Sequence, residues 1–261
     1  MTGVSERIIQ RNADAAGALI GYLPVGFPDL DRSVDAAVAI AESGVDVIEL
    51  GIPYSDPVMD GPVIQAATQR ALNAGFHVSD TFEAIRRITA QVDVPVLVMT
   101  YWNLVRQRGV DRFADELLES GGSGLITPDL IPDEAGDWLA ASERTGLDRV
   151  FLAAPSSTDA RLDTVVSESR GFVYTVSTMG ITGARSDVDS AARTLVGRLR
   201  AHGVENACVG LGISTAEQVA QVLEYADGAI VGSALVSALE RGVDEVARVA
   251  AELATGTART S

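Results

Sequence analysis

Short apolar runs alternate eight times with longer amphipathic segments along this chain of 261 residues. The runs are residues 18–22, 45–51, 94–101, 124–128, 149–154, 171–177, 207–211 and 228–231. Most are nearly continuous apolar stretches rather than strict alternations, the pattern of a parallel strand covered on both faces. Between them lie helical patterns. Residues 31–43 place Val34, Ala37, Val38 and Ala41 on one face. Similar periodicity predicts helices over 63–73, 81–88, 112–120, 133–144, 160–167, 191–202, 216–225 and 236–253, with caps such as Ser79 and Thr215. One further helix is expected before the first strand. Eight strand–helix units joined by right-handed crossovers predict an α/β fold, a single (β/α)8 barrel. An open doubly wound sheet is the alternative, and no G-x-G-x-x-G follows the first strand to support it. No linker or low-complexity stretch divides the chain, so residues 1–261 read as one domain, with a tail over 254–261 expected to fray.

Composition narrows the chemistry. No lysine occurs, and all 20 basic residues are arginine. This excludes a Schiff base on a lysine side chain. One cysteine, Cys208, and two histidines, His77 and His202, exclude disulfide frameworks and a three-histidine zinc site. Cys208 reads as an inert core residue, and both histidines as surface residues. The net charge of −16 argues against nucleic-acid binding and against adhesion to an anionic membrane. No apolar run reaches the ~18 residues of a membrane span. The first residues lack a basic segment followed by an apolar one, so a cytoplasmic location is expected.

Two connections exceed what a minimal turn needs. They follow the second and sixth strands, over 52–62 and 178–188. In a barrel such loops lie at the C-terminal face, where active sites form. Glu49 sits near the end of the second strand between Ile48 and Leu50. A carboxylate there either opens on the barrel mouth as a general acid–base group, or pairs with an arginine on a neighbouring strand. Asp60, in the loop that follows, is either a turn or helix-cap residue or a second carboxylate that divides acid and base roles with Glu49. Tyr174, on the sixth strand, is a packing residue or a hydroxyl at the same mouth. Glycine-rich segments at Gly180–Gly183, Gly210–Ser214 and Gly232–Ser233 follow three consecutive strands. Backbone N–H groups exposed by glycine, together with a helix N-terminus, bind phosphate without lysine.

The stretch Ile48-Glu-Leu-Gly-Ile-Pro-Tyr-Ser-Asp-Pro-Val-Met-Asp-Gly-Pro62 closely resembles the signature of the tryptophan synthase α subunit family. The resemblance continues through Val98–Asn103, Thr127–Pro132, Tyr174–Arg185, Gly210–Ser214 and Gly228–Ala234, and covers about residues 5–250. It implies a (β/α)8 TIM barrel that cleaves indole-3-glycerol phosphate to indole and glyceraldehyde 3-phosphate with no cofactor and no metal. Carried over by position, Glu49, Asp60 and Tyr174 match the catalytic residues. Gly183, Gly212, Ile213, Gly232 and Ser233 match phosphate-binding positions. Tyr22, Tyr101, Thr127, Leu152 and Thr182 match positions around the indole and the lid. The chain departs from the common pattern at Tyr22 and Tyr54, where many members have Phe, and at Met59, where many have Ala. The resemblance also implies an α2β2 complex with a β subunit that carries pyridoxal phosphate and joins indole to serine. Loops 52–62 and 178–188 are then its docking surface, and indole passes through a tunnel between the sites.

Other phosphate-binding barrels are the nearest rivals. Indole-glycerol-phosphate synthase and triosephosphate isomerase-like enzymes depend on a lysine that this chain lacks. A barrel that only binds and activates a partner is the non-catalytic alternative. Glu49, Asp60 and Tyr174 standing together argue against it.

Overall fold

Residues 3–176, 185–210 and 212–258 are described in the computed structural model of the chain. The first half comprises α1 (Val4–Ala13), β1 (Ala18–Pro24), α2 (Leu30–Glu42), β2 (Val47–Gly51), α3 (Pro62–Asn73), α4 (Val78–Thr89), β3 (Val96–Met99), α5 (Trp102–Arg108), α6 (Val110–Glu119) and β4 (Gly124–Ile126). There follow α7 (Gly136–Thr145), β5 (Asp148–Val150), β6 (Leu152–Ala153), α8 (Asp159–Glu168), β7 (Val173–Val176), α9 (Arg185–Ala201), β8 (Ala207–Gly210), α10 (Ala216–Leu223), β9 (Gly228–Val231), α11 (Ser233–Leu239) and α12 (Val243–Ala254).

All strand pairings are parallel, in the order β5-β4-β3-β2-β1-β9-β8-β7-β6. The two ends of that order are consecutive in the chain. β5 pairs with β4 and β6 with β7, and only Phe151 separates them. The nine segments are therefore eight barrel strands, one of them broken at Phe151, and the expected (β/α)8 TIM barrel is the observed fold. Among the described residues, no helix is long and apolar enough to cross a membrane.

The core has two layers. Inside the barrel, Ala18, Ile20, Val47, Leu97, Ile126, Val150, Phe172, Cys208 and Ile230 form one cluster. The expected N-terminal helix is α1, and its Val4 and Ile8 join this cluster. Full burial of each such side chain is worth about 1.5–3 kcal/mol, which fixes α1 on the barrel. The outer layer packs the other face of the strands against the helices around Phe27, Phe113 and Trp138. Continuous apolar strands are the consequence of covering both faces. At the N-terminal rim, Asp46 accepts from the Leu19 N–H at 3.0 Å and pairs with Arg11. Asp227 does the same for the Ala207 N–H at 2.7 Å and Arg200 at 2.6 Å. Strand ends that lack a ladder partner are thus satisfied by carboxylates.

Several boundaries differ from expectation. Ser79 is not a cap: α4 begins at Val78, and the His77 backbone N–H donates to Asp80 Oδ2 at 2.8 Å. Thr215 does cap α10, accepting from Gln218 N. The helix expected over 236–253 is two helices, α11 and α12, interrupted at Gly242 with φ +124°. The seven-residue α5 was not anticipated, because it is too short to show a period. The tail was expected to fray from 254, yet Thr255–Thr257 form a 3-10 turn and Ala258 bridges Ala16. Gly256 and Thr257 are buried there. Of the expected loop 178–188, residues 178–184 lie outside the described residues, and 185–188 open α9.

Candidate active site

The C-terminal ends of the strands surround a cavity of about 230 Å³. Inward-facing positions at this level of the barrel supply its wall. On β2, Val47 and Glu49 point inward while Ile48 and Leu50 pack outward. The two-residue period of a strand thus carries Glu49 into the cavity just above the sealed interior.

Glu49 is 1% exposed, and its Oε2 has no hydrogen-bond partner. No arginine pairs with it among the described residues, which removes the ion-pair alternative. Burial, reinforced by the negative charge of Asp60, pushes its carboxyl from 4.5 to about 8. A carboxyl in that range holds its proton at neutral pH and can still release it.

Asp60 reaches the same cavity from the loop after β2. Helix α3 starts at Pro62 with Gly61 at its N-cap and no side-chain cap bond, so Asp60 is not the cap residue. Its position is set by Tyr101, just after β3. The Tyr101 hydroxyl accepts from the Val58 N–H at 3.1 Å and the Met59 N–H at 3.0 Å. Both lone pairs are then engaged, and the hydroxyl proton goes to Asp60 Oδ1 at 3.2 Å. Gln65 holds the Asp60 carbonyl at 2.8 Å, and Tyr54 lies over Tyr101 with ring centroids 5.1 Å apart. Burial raises the Asp60 carboxyl, and the Tyr101 hydrogen bond opposes that rise. Burial also pushes the Tyr101 hydroxyl up to about 12, so it stays a donor.

Two other tyrosines face the cavity directly. Tyr22 on β1 stands in register with Glu49. Its hydroxyl lies so close over Gly51 that a Cβ there would meet it at 2.2 Å. Tyr174 on β7 occupies the matching slot over Gly210, where a Cβ would lie 2.7 Å from its hydroxyl. Both glycines are required by close approach. Burial raises both hydroxyls well above the ordinary tyrosine range.

Leu152, Gly212, Gly232 and Ser233 also line the cavity, as the sequence predicted. Gly212 has φ +63°, a conformation that favours glycine. Gly232 precedes α11, which begins at Ser233. Three expected residues do not line it. Tyr101 stands behind Asp60 and reaches the cavity only through that carboxyl. Thr127 is buried just after the end of β4, one position beyond Ile126, which faces in. The Ile213 side chain is buried in the outer layer. Thr182 and Gly183 lie outside the described residues.

The sequence reading missed Ile64, Met99, Ile126, Val176 and Ile230 as cavity residues. Four of these lie on strands, near their C-terminal ends, and an inward/outward count along each strand would have found them. Ile64, in the first turn of α3, carried no such signal.

The sequence matches the family described as tryptophan synthase alpha chain over residues 8–260. The tryptophan synthase alpha chain of Leifsonia xyli subsp. xyli is 72% identical over 260 residues, spanning 99% of this chain and 100% of that one. That of Mycobacterium avium is 58% identical over 244 residues, spanning 93% and 90%. A solved structure of Mycobacterium tuberculosis tryptophan synthase superposes with a TM-score of 0.94 at 52% identity, covering 98% of both chains. One of tryptophan synthase subunit alpha from Legionella pneumophila gives 0.90 at 29% identity and 98% of each. With the match running almost end to end, this chain belongs to the tryptophan synthase alpha chain family.

Proposed function

We propose that this chain, an enzyme subunit by its family, is a carbon–carbon lyase that cleaves indole-3-glycerol phosphate to indole and glyceraldehyde 3-phosphate. The observation that carries the proposal is the unpaired, buried Glu49 carboxyl sharing a cavity with Asp60. The bond to be broken joins indole C3 to a side-chain carbon that bears a hydroxyl. Glu49, protonated at neutral pH, delivers its proton to C3 and leaves a cationic ring. The C3–carbon bond then breaks, and its electron pair neutralises the ring. The hydroxyl carbon becomes the aldehyde, and its O–H proton returns to the Glu49 carboxylate. The proton count closes on one residue, and the step draws on no cofactor or metal.

Asp60, ionised, lies where positive charge on the ring nitrogen would be stabilised, and Tyr101 aims it. Tyr174 presents its hydroxyl as a third catalytic group. Tyr22 and Leu152 flank the indole ring, with Tyr101 behind them. Gly212, the backbone of Ile213, Gly232 and Ser233 take the phosphate, with Gly183 and Thr182 completing the site by family resemblance. Anchoring the phosphate away from the breaking bond fixes orientation, an effect that supplies several kcal/mol in well-ordered sites.

The partner in this reading is a tryptophan synthase β subunit, bound in an α2β2 complex through loops 52–62 and 178–188. The match to solved tryptophan synthase supports it, as does Val58, an apolar side chain 75% exposed on the first of those loops. A biosynthetic role of this kind belongs in the cytoplasm. The test is indole release from indole-3-glycerol phosphate by the purified chain, with and without β. Slow release that rises sharply with β is expected. No indole in either condition, with tight β binding retained, would make the chain a non-catalytic binding barrel.

A further inference from the structure

Tyr22 has no part in the mechanism above beyond flanking the ring, yet its hydroxyl is the least explained polar group in the cavity. The residue is 5% exposed, lines the cavity, and makes no hydrogen bond among the described residues. Its position is built. Tyr22 and Glu49 are register partners on β1 and β2, and the hydroxyl rests over Gly51. Gly51 is two residues beyond Glu49 on the same strand, so the hydroxyl sits directly above the Glu49 side chain towards the mouth. The loop that carries Asp60 leaves β2 at that level. The missing Cβ at Gly51 is the slot that admits it: an alanine would overlap the hydroxyl at 2.2 Å.

Before substrate enters, water can satisfy a hydroxyl that opens on the cavity. Once an aromatic ring fills about 230 Å³ of space, that water is displaced. A buried hydroxyl left without a partner is then costly, so it must find an acceptor. The titratable groups that face it are Asp60, Glu49, Tyr101 and Tyr174. The Tyr101 proton is already committed to Asp60. Glu49 holds its own proton and is the weaker acceptor of the two carboxyls. Asp60 has one oxygen bonded by Tyr101 and further lone pairs free.

We propose that Tyr22 is a positioning residue of this chain: held over Gly51 above Glu49, its hydroxyl donates to Asp60 in the filled cavity and so adds to the separation of the two carboxylates' roles that the Tyr101 hydrogen bond begins. The proposal rests on the acid–base reading given above. It makes Asp60 the ionised member through two tyrosine donors, Tyr101 and Tyr22, while Glu49 receives none. Tyr174, in its slot over Gly210, approaches from the opposite side of the barrel.

Tyr22→Phe removes one oxygen and keeps the ring. Carboxyl titration of Asp60 by carbon-13 NMR, in wild type and Tyr22→Phe, reads the effect without any turnover. The titration is run on the whole chain with indole filling the cavity. A hydrogen bond to the charged form lowers a carboxyl midpoint, so its loss raises it; the expected upward shift is about one pH unit. The acid limb of kcat/KM for indole-3-glycerol phosphate should move the same way, with KM little changed. An Asp60 midpoint unmoved by Tyr22→Phe overturns the proposal. A KM increase with an unmoved acid limb also overturns it, because the hydroxyl would then bind substrate rather than Asp60. Failure of the wild-type chain to cleave the substrate would count against the acid–base reading instead, and the titration would still stand alone.

Discussion

Replacing Glu49 with Gln separates what the buried carboxyl does for chemistry from what it does to stability. The carboxyl titrates at about 8 in the folded chain against an ordinary 4.5. The folded state therefore binds this proton more tightly than the unfolded state does. Stability falls as pH rises from about 4.5 to about 8, by up to ~1.4 kcal/mol per pH unit. Integrated from pH 5 to pH 8, the loss is about 3–4 kcal/mol. Gln carries no such proton, so the Glu49→Gln chain lacks this slope. Its own unpartnered amide shifts the curve by an amount that does not vary with pH, which the comparison cancels. Thermal unfolding of both chains at several pH values between 5 and 8 is the assay. At ~2–4 °C per kcal/mol for a chain of this size, the Tm difference should move by roughly 6–16 °C in favour of the variant as pH rises. Turnover should be abolished in the same variant while substrate still binds. Stability curves that run parallel across this pH range would refute the argument, since Glu49 would then be ionised without penalty. Normal turnover would remove it from the mechanism.

Three other outcomes follow from the same geometry. Asp60→Asn should lower the rate of indole release at least ~10-fold, because a neutral amide cannot stabilise positive charge on the ring nitrogen; steady-state kinetics checks this, and an unchanged rate returns Asp60 to a turn residue. Tyr101→Phe deletes the acceptor for two backbone N–H groups and the donor to Asp60. Limited proteolysis should cut loop 52–62 several-fold faster in that variant, and activity should fall with it. Gly210→Ala puts a Cβ 2.7 Å from the Tyr174 hydroxyl. Overpacking of this kind costs about 1–3 kcal/mol, read as a lower denaturation midpoint together with lost activity.

The strands were legible because a parallel barrel strand is apolar on both faces, and few other contexts produce eight such runs in one chain. The first and last strands, Ala18–Pro24 and Gly228–Val231, overlap the sequence reading closely. Helix ends were less legible. His77, rather than Ser79, is the N-cap of α4 because a side chain three residues on, Asp80, closes the turn. The tail was misread because its order comes from far along the chain. The Ala16–Ala258 bridge and the Arg11 contact with Thr257 tie it to the first strand's entry, and composition carries no trace of either.

The site divides in the same way. Glu49 and Asp60 stood out in the sequence because a carboxylate within an apolar strand, with a second one in the loop after it, is chemically expensive unless it is used. The sequence could not say that Glu49 lacks a partner, nor that Asp60 leaves the helix cap to Gly61. Those facts depend on which groups converge from distant strands. Thr127 shows the limit most plainly: its type and motif suit an active site, but it is buried outside the cavity wall while Ile126 faces in. By itself the sequence determined the alternation, and with it the barrel, the absence of lysine chemistry, and the two carboxylates. Tertiary structure alone decided the Tyr101 hydrogen bonds to loop 52–62, the two tyrosine hydroxyls seated over Gly51 and Gly210, and the raised pKa of Glu49. The physical reason is that periodicity is a local property of the chain, whereas desolvation and hydrogen-bond partners are properties of whatever the closed barrel brings together.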